Sequence, residues 1–335
     1  MHDLSNEALP DTYRAWRWYE NAEPLALRLE QVAMHAPPAG QVVVRNAVIG
    51  LNPVDWKVLG GGLVEWQPGH VPGVDGAGVV VAVGDGVSGQ WLGRRVAYHT
   101  SLHRDGSFAE YAEVAARALL RLPDALDFET AAGVPCPALT AWQAIEKLPV
   151  QPEQALLVNG AGGAVGNYLV QLASQRGFSV TAMAHARHWE RLRALGAQAC
   201  IDGTRAAEIP VRGQGRFFAV IDCVSEQHAE RLAGRLCANG HLVCIQGRVP
   251  QWPCAPFGRS ISLHEVALGA LHGCGDDADW QRLTADGEWL LEEIAAGRLQ
   301  AQEHVVSDFG ALARALDGLR RRDFSGKPLV RVGAP

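Results

Sequence analysis

No apolar run in this 335-residue chain is long enough to cross a bilayer, which excludes a helical membrane span. Positive charge is not in surplus: 30 Lys and Arg stand against 36 Asp and Glu, a net charge of −6. Such a balance offers no overall basic surface to nucleic acid or anionic lipid. The opening residues MHDLSNEALPD lack the basic and apolar regions of a signal peptide. Seven cysteines, an odd number, are scattered without a paired framework. They read as reduced thiols in a cytoplasmic protein. Low-complexity linkers and internal repeats are also missing. What remains is an ordinary globular composition, 48% hydrophobic and 20% charged, with length for two domains that each bury a core.

The chain is organised around Ala155 to Arg193, ALLVNGAGGAVGNYLVQLASQRGFSVTAMAHARHWERLR. Ala155 to Val158 is a short apolar run of the kind that forms a buried parallel strand. Glycines follow at Gly160, Gly162, Gly163 and Gly166, and Tyr168, Leu169, Leu172 and Ala173 then recur at helical spacing. Gly177 suits the helix end, and Ser179 to Ala184 reads as a second strand. A strand, a glycine turn, a helix and a strand make one βαβ unit. The glycines matter because a pyrophosphate must approach backbone N–H groups and a helix N-terminus closely. The cofactor-binding candidates here are Gly160, Ala161, Gly162, Gly163, Ala164, Val165 and Gly166. The spacing departs from the plain G-x-G-x-x-G fingerprint, but the strand-turn-helix context is the confirming one.

The end of the second strand distinguishes the dinucleotides. NAD asks for an acidic residue that holds the ribose 2′-hydroxyl. Here the segment is Ala184-His185-Ala186-Arg187-His188, with no carboxylate before Glu190. Arg187, with His185 beside it, suits a 2′-phosphate, because its planar fork pairs with phosphate oxygens. NADP(H) is the expected cofactor. The competing reading makes Arg187 a solvated surface charge.

Elsewhere the pattern changes twice. Tyr13 to Tyr19, Leu25 to Val32, Gln41 to Ile49, Val79 to Val83 and Leu92 to Tyr98 read as short strands, after a loose tail over residues 1–11. The turns between them are Pro37 to Gly40 and Gly84-Asp85-Gly86. From about Pro123 helices alternate with strands. Phe128 to Ala144 is partly helical and interrupted by Pro135 and Pro137. Strands are expected at Ala199 to Asp202, Phe218 to Asp222, His241 to Ile245 and Ile261 to Leu268, with a helix at Gln227 to Leu236. Alternation of this kind predicts a doubly wound parallel sheet. The last part holds two helices, Trp280 to Ala296 and Phe309 to Arg321, and a strand from Pro328 to Val332.

Six segments carry a family resemblance. They are Gly50-Leu51-Asn52-Pro53-Val54-Asp55-Trp56-Lys57, Pro72-Gly73-Val74-Asp75-Gly76-Ala77-Gly78, Gly106-Ser107-Phe108-Ala109-Glu110-Tyr111, Leu139-Thr140-Ala141-Trp142, the glycine turn, and Gly326-Lys327-Pro328-Leu329-Val330. Together they resemble the medium-chain dehydrogenase/reductase superfamily, and within it the zinc-free quinone and enone reductases. The likeness runs from about residue 12 to the C-terminus. It implies an α/β chain in which a Rossmann domain, residues 123–268, is inserted in a groES-like β-rich catalytic domain made of 1–122 and 269–335. It also implies a homodimer joined through the edge strand at Ile261 to Leu268.

A catalytic zinc needs three protein ligands and an open position. The superfamily's zinc alcohol dehydrogenases have a Cys matching Asn52, a His matching Val74 and a Cys matching Cys136; only the last is present. The four-cysteine structural loop has no counterpart between Tyr98 and Phe108. No metal is therefore expected. Hydride delivery to a quinone or an α,β-unsaturated carbonyl suits a metal-free site, because the substrate delocalises the developing charge. The alternatives are a zinc-independent alcohol or aldehyde oxidoreductase and a non-enzymatic NADPH-binding protein.

The candidate catalytic residues are Asn52, Lys57, Tyr98 and His99. Asn52 is either an amide donor to substrate or nicotinamide ribose, or a turn residue before Pro53. Lys57 either stabilises an oxyanion or binds the cofactor, or it pairs with Asp55 or Asp75. Tyr98 and His99 end a strand where this family's cleft opens, and either suits proton donation. The resemblance puts Thr140 on the nicotinamide side, and it adds Lys327 to the cofactor-binding set. Gln246 and Gly247 follow a strand at the sheet's carboxyl edge. Asp222 and Cys223 either line the same crevice or pack the core. Cys136 reads as a small buried residue.

Overall fold

The computed structural model describes residues 9–203 and 216–333. Most of the expected tail, up to residue 8, lies outside them. In chain order the elements begin with β1 (Thr12–Arg17), β2 (Arg28–Ala33), β3 (Gln41–Gly50), α1 (Pro53–Lys57), β4 (Asp75–Val83), β5 (Arg95–His99), β6 (Tyr111–Ala115) and β7 (Leu119–Arg121). Next come α2 (Phe128–Ala132), α3 (Pro135–Glu146), β8 (Ala155–Asn159), α4 (Ala164–Gln175), β9 (Ser179–Met183), α5 (Trp189–Ala194) and β10 (Ala199–Ile201). The chain continues through β11 (Phe217–Asp222), α6 (Glu226–Ala233), β12 (Leu236–Cys244), β13 (Ser262–Glu265) and α7 (Ala270–Cys274). It closes with α8 (Asp277–Ala295), β14 (His304–Asp308), α9 (Leu312–Arg321) and β15 (Lys327–Arg331).

These elements form two compact units. One is the chain up to Cys136 together with the part from Gly269 onward; the other is Pro137–Leu268. In the first, a seven-stranded sheet runs β14-β15-β3-β4-β5-β7, with β6 pairing on β3. The neighbours are antiparallel except β14 and β15. The last strand of the chain thus lies beside β3, with Leu329 opposite Gly50. A separate β1–β2 hairpin adds Trp16 and Trp18 to a core with Ile49, Phe108, Leu312 and Val330. The α2 helix packs on β3, β4 and β5. This unit therefore takes in residues 123–136, which the sequence pattern assigns to the nucleotide-binding part.

Pro137–Leu268 holds a six-stranded sheet in the order β10-β9-β8-β11-β12-β13, every pair parallel. The strand order reverses between β8 and β11, and ligands of such sheets sit at the carboxyl ends there. Leu157, Val220 and Leu242 from three adjacent strands pack with Leu232 and Ala233 of α6.

Several elements differ in extent from the sequence pattern. Strand β4 begins at Asp75, not Val79, because Gly76 and Gly78 permit close contact. A Cβ on Gly78 would stand 2.0 Å from the Arg45 carbonyl oxygen, and one on Gly76 would stand 2.4 Å from the Tyr98 hydroxyl. The α6 helix stops at Ala233, and Leu236 pairs with Phe217 as the start of β12. Leu25 lies in a short 3-10 turn opened by Pro24. The short strands β6, β7 and β14 carry no sequence expectation. Among the described residues no helix is long and apolar enough to cross a membrane.

Candidate functional site

In the parallel-sheet unit the glycine turn joins β8 to α4. Gly160 adopts φ +77°, in the left-handed region that favours glycine. A Cβ on it would also press on Val224 and Cys223, at 3.0 and 3.2 Å. Gly166 lies against the turn itself: its Cβ would stand 2.5 Å from the Ala161 Cα and carbonyl oxygen. That contact seats α4 on the turn. Gly163 is the N-cap of α4 and supplies no side-chain cap. The first-turn amides, with Ala164 and Val165, are therefore available to an anion. This is the cradle that a dinucleotide pyrophosphate requires, so the residues present fit the cofactor.

Two basic side chains flank the turn. Arg187 follows β9 in an exposed 3-10 turn, where the His185 Nδ1 accepts the Arg187 backbone N–H at 3.2 Å. The Arg187 Nε donates to His188 Nε2 at 3.1 Å, and the His188 ring fills the space where a Gly162 Cβ would be. Burial first, then the charges of Arg187 and Arg191, hold His188 below the usual imidazole range, so it accepts as a neutral ring. Arg191, one helical turn beyond Arg187, donates Nη2 to the Gly162 carbonyl at 3.1 Å and Nη1 to the Asn167 side chain. Sequence reasoning missed Arg191 and His188. Their spacing from Arg187 on the first turn of a helix was the available signal.

At the switch point Asn159 ends β8 and Asp222 ends β11, opposite each other in register. Asn159 Nδ2 donates to Asp222 Oδ1 at 2.5 Å, and Asp222 Oδ2 accepts the Val224 and Ser225 amides at 3.1 and 2.9 Å. Asp222 thus shapes the turn after β11. Cys223 packs against Gly160, and burial pushes its thiol above the usual range. Gln246 and Gly247 are exposed just beyond β12, with Gly247 at φ +136°. Thr140 is buried on α3.

In the first unit the structure gathers a different polar cluster, centred on the wholly buried carboxylate of Asp75. Its Oδ1 meets His99 Nδ1 at 2.9 Å and the Cys136 amide at 3.2 Å. Its Oδ2 accepts Asn52 Nδ2 at 2.9 Å and the same Cys136 amide at 3.0 Å. Lys327 Nζ donates to Asn52 Oδ1 at 2.6 Å and lies 3.9 Å from Asp75 Oδ2. Lys327, expected among the cofactor ligands, lies in this cluster, with its side chain 4% exposed.

Asn52 is the N-cap residue before Pro53, and its side-chain amide is engaged at both ends. Its amide oxygen takes Lys327, and its NH2 serves Asp75 and the Gly50 carbonyl. Lys57 does not join: it is exposed, with its ammonium 5.7 Å from the Trp56 ring centroid. Asp55 turns back to accept the Asn52 backbone N–H at 2.7 Å. Burial, then the neighbouring Asp75 charge, pushes Asp55 up to about 8 against the capping hydrogen bond. Tyr98 is fully buried and donates its hydroxyl to Asn46 Oδ1 at 2.7 Å. This bond ties β5 to β3. Of the four catalytic candidates, only His99 combines a fixed ring with a nitrogen not spent on Asp75.

Asp75, His99 and Cys136 each bring a ligand atom to within 4.8 Å of one another. The ligand set of the zinc alcohol dehydrogenases is not reproduced. Val74 is aliphatic and buried, and both heteroatoms of the Asn52 amide are engaged.

An all-parallel sheet with a glycine turn at its switch point, in one chain with an antiparallel unit built from both chain ends, defines a two-unit dehydrogenase/reductase. Comparison with known proteins agrees. Residues 38–124 match the alcohol dehydrogenase GroES-like domain. The chain is 34% identical to the quinone oxidoreductase of Homo sapiens over 325 residues, 90% of this chain and 97% of that one. It is 31% identical over 257 residues to 2-methylene-furan-3-one reductase of Solanum lycopersicum, covering 72% and 64%. The crystal structure of a putative NADPH:quinone reductase from Bacillus thuringiensis superposes with TM-score 0.84 over 97% of this chain and 100% of that chain, at 24% identity, and shows the fold. The chain belongs to the quinone oxidoreductases of the medium-chain dehydrogenase/reductase superfamily.

Proposed function

We propose that this oxidoreductase uses NADPH to reduce a quinone or an α,β-unsaturated carbonyl without a catalytic metal. The observation that carries the cofactor half is the uncapped, glycine-lined start of α4 with Arg187 held beside it. When bound, the nicotinamide supplies the hydride. The chain's own residues bind and orient: the first-turn amides of α4 take the pyrophosphate, and Arg187 pairs with the 2′-phosphate. Thr140, His185, Cys223, Gln246 and Gly247 complete the cofactor set. The substrate half follows from the relatives, whose names include a quinone oxidoreductase and a furanone reductase. Such substrates spread negative charge over their own conjugated system, which lessens the need for a Lewis acid. The proton then added comes from water or from His99, whose ring Asp75 orients. The unit is proposed to work as a cytoplasmic homodimer through the sheet edge at β13.

The test is NADPH oxidation by chelator-treated protein against quinones, enones, aldehydes and short alcohols. Quinones or enones should be reduced, with NADH much poorer. Turnover confined to aldehydes and alcohols, or NADPH binding with no turnover, would overturn the reading.

A further inference from the structure

Asp75 is a buried carboxylate whose two oxygens already receive three hydrogen-bonding groups, and the cation nearest in this cluster comes from the far end of the chain. Lys327 opens β15, its backbone N–H bonds the Glu303 carbonyl at 2.8 Å, and Lys327 is itself 3% exposed. Its ammonium reaches Asn52 Oδ1, across 275 residues of sequence, and stands 3.9 Å from Asp75. A buried charge is tolerated where a partner of opposite sign and further hydrogen bonds compensate it. Asp75 has both.

The same place offers one oxygen, one imidazole nitrogen and one thiol within ligand reach of one another. That is a sufficient donor set for a zinc-like ion with an open position. A divalent ion would meet two obstacles. It would have to take Asp75 Oδ1 from His99 and the Cys136 amide, and it would face the positive charge of Lys327 beside a buried carboxylate, where repulsion is screened little. Binding would also require the Cys136 thiol to ionise beside it.

We infer that Lys327 takes the place of a metal ion at Asp75: its ammonium keeps the Asp75–His99–Cys136 cluster closed to divalent cations while fixing Asn52 and, through Asp75, the His99 ring. Lys327 is thus a positioning residue that decides whether this cluster takes a metal. The inference rests on the metal-free part of the proposed function and is independent of the cofactor and the substrate.

The experiment is titration of the full chain with Co²⁺, read by its thiolate-to-cobalt absorption and visible bands. Wild type and Lys327→Arg should show no Cys136-dependent band. Lys327→Met should acquire one, with at least tenfold tighter Co²⁺ binding, and Lys327→Met with Cys136→Ser should lose it. Lys327→Gln, which keeps a hydrogen-bonding head without charge, repeats the test should Lys327→Met not fold. A Cys136-dependent band in the wild type overturns the inference, as does a folded, uncharged Lys327 variant with no band. Cobalt results as expected, together with no NADPH-dependent turnover on any quinone or enone, would instead overturn the functional reading, so the two failures are separable.

Discussion

The Arg187 Nε donates to the Nε2 of its neighbour His188 at 3.1 Å, and the His188 ring packs on Gly162 of the glycine turn. The guanidinium is therefore braced beside the start of α4, and among the described residues its remaining N–H groups are left for a ligand. Arg187→Ala should weaken NADPH by roughly ten- to a hundredfold, on the scale of about 1.5–3 kcal/mol for charge-assisted hydrogen bonds, and leave NADH nearly unchanged. Titration of both cofactors by fluorescence checks this. Equal losses for the two would remove the 2′-phosphate assignment.

Gly166→Ala would drive a methyl to within 2.5 Å of the Ala161 backbone. The neighbour is main chain and cannot rotate away, so α4 must move off the turn. A stability loss of about 1–3 kcal/mol is expected, with weaker binding of either dinucleotide. Unchanged melting temperature and cofactor affinity would show that the contact is not needed.

Tyr98 and His99 are adjacent on β5 but should behave differently. Tyr98→Phe removes the hydrogen bond to Asn46, deep in the sheet. It should lower stability by about 1–2 kcal/mol with kcat largely retained. His99→Gln should lower kcat for quinone or enone by tenfold or more if the imidazole delivers the proton. A Tyr98→Phe enzyme that stays stable and loses turnover would reverse these roles.

Asp55 makes stability fall with pH. Its folded pKa, about 8, lies above its ordinary 3.8. The folded protein keeps a proton that the unfolded chain releases, so the contribution is complete below about 3.8 and is lost as pH rises to about 8. Asp55→Asn retains an acceptor for the Asn52 N–H and should flatten that decline. Denaturant midpoints across this range measure it, and a slope identical to wild type would contradict the burial of this carboxyl.

His272 works in the opposite direction. Burial first, and then the His99 and Arg117 charges, lower it from 6.5 to about 4. Its ring packs edge-on to Trp280, with centroids 4.8 Å apart, and its Nε2 is buried. The folded state prefers the neutral ring, so stability is full above about 6.5 and falls as pH drops toward 4. His272→Phe should reduce acid sensitivity over that interval, as followed by melting temperature against pH.

Much of this was legible in the chain. The β8–α4–β9 unit announces itself because apolar runs, glycines and helical periodicity fall in one short window, where local physics dominates. The alternation beyond Pro123 likewise predicts the parallel sheet. The polar cluster was not legible in the same way. Asp75 entered the sequence reading only within a resemblance segment and as a partner for Lys57. The lysine that reaches it is Lys327, which the chain delivers through the pairing of β15 with β3. Asn52 looked like a donor because nothing local shows that both its amide atoms are spent. The strands β6, β7 and β14 were missed because three to five residues carry too little periodicity.

By itself the sequence determined the architecture and its strand, glycine turn and helix unit, since glycine placement, hydrophobic period and strand–helix alternation are properties of neighbouring residues. Which side chains meet around Asp75, and whether a given His, Lys or Asn is spent or available, was decided only in three dimensions. Those meetings depend on strand pairing and burial between segments hundreds of residues apart, and neither is written in any local stretch of the chain.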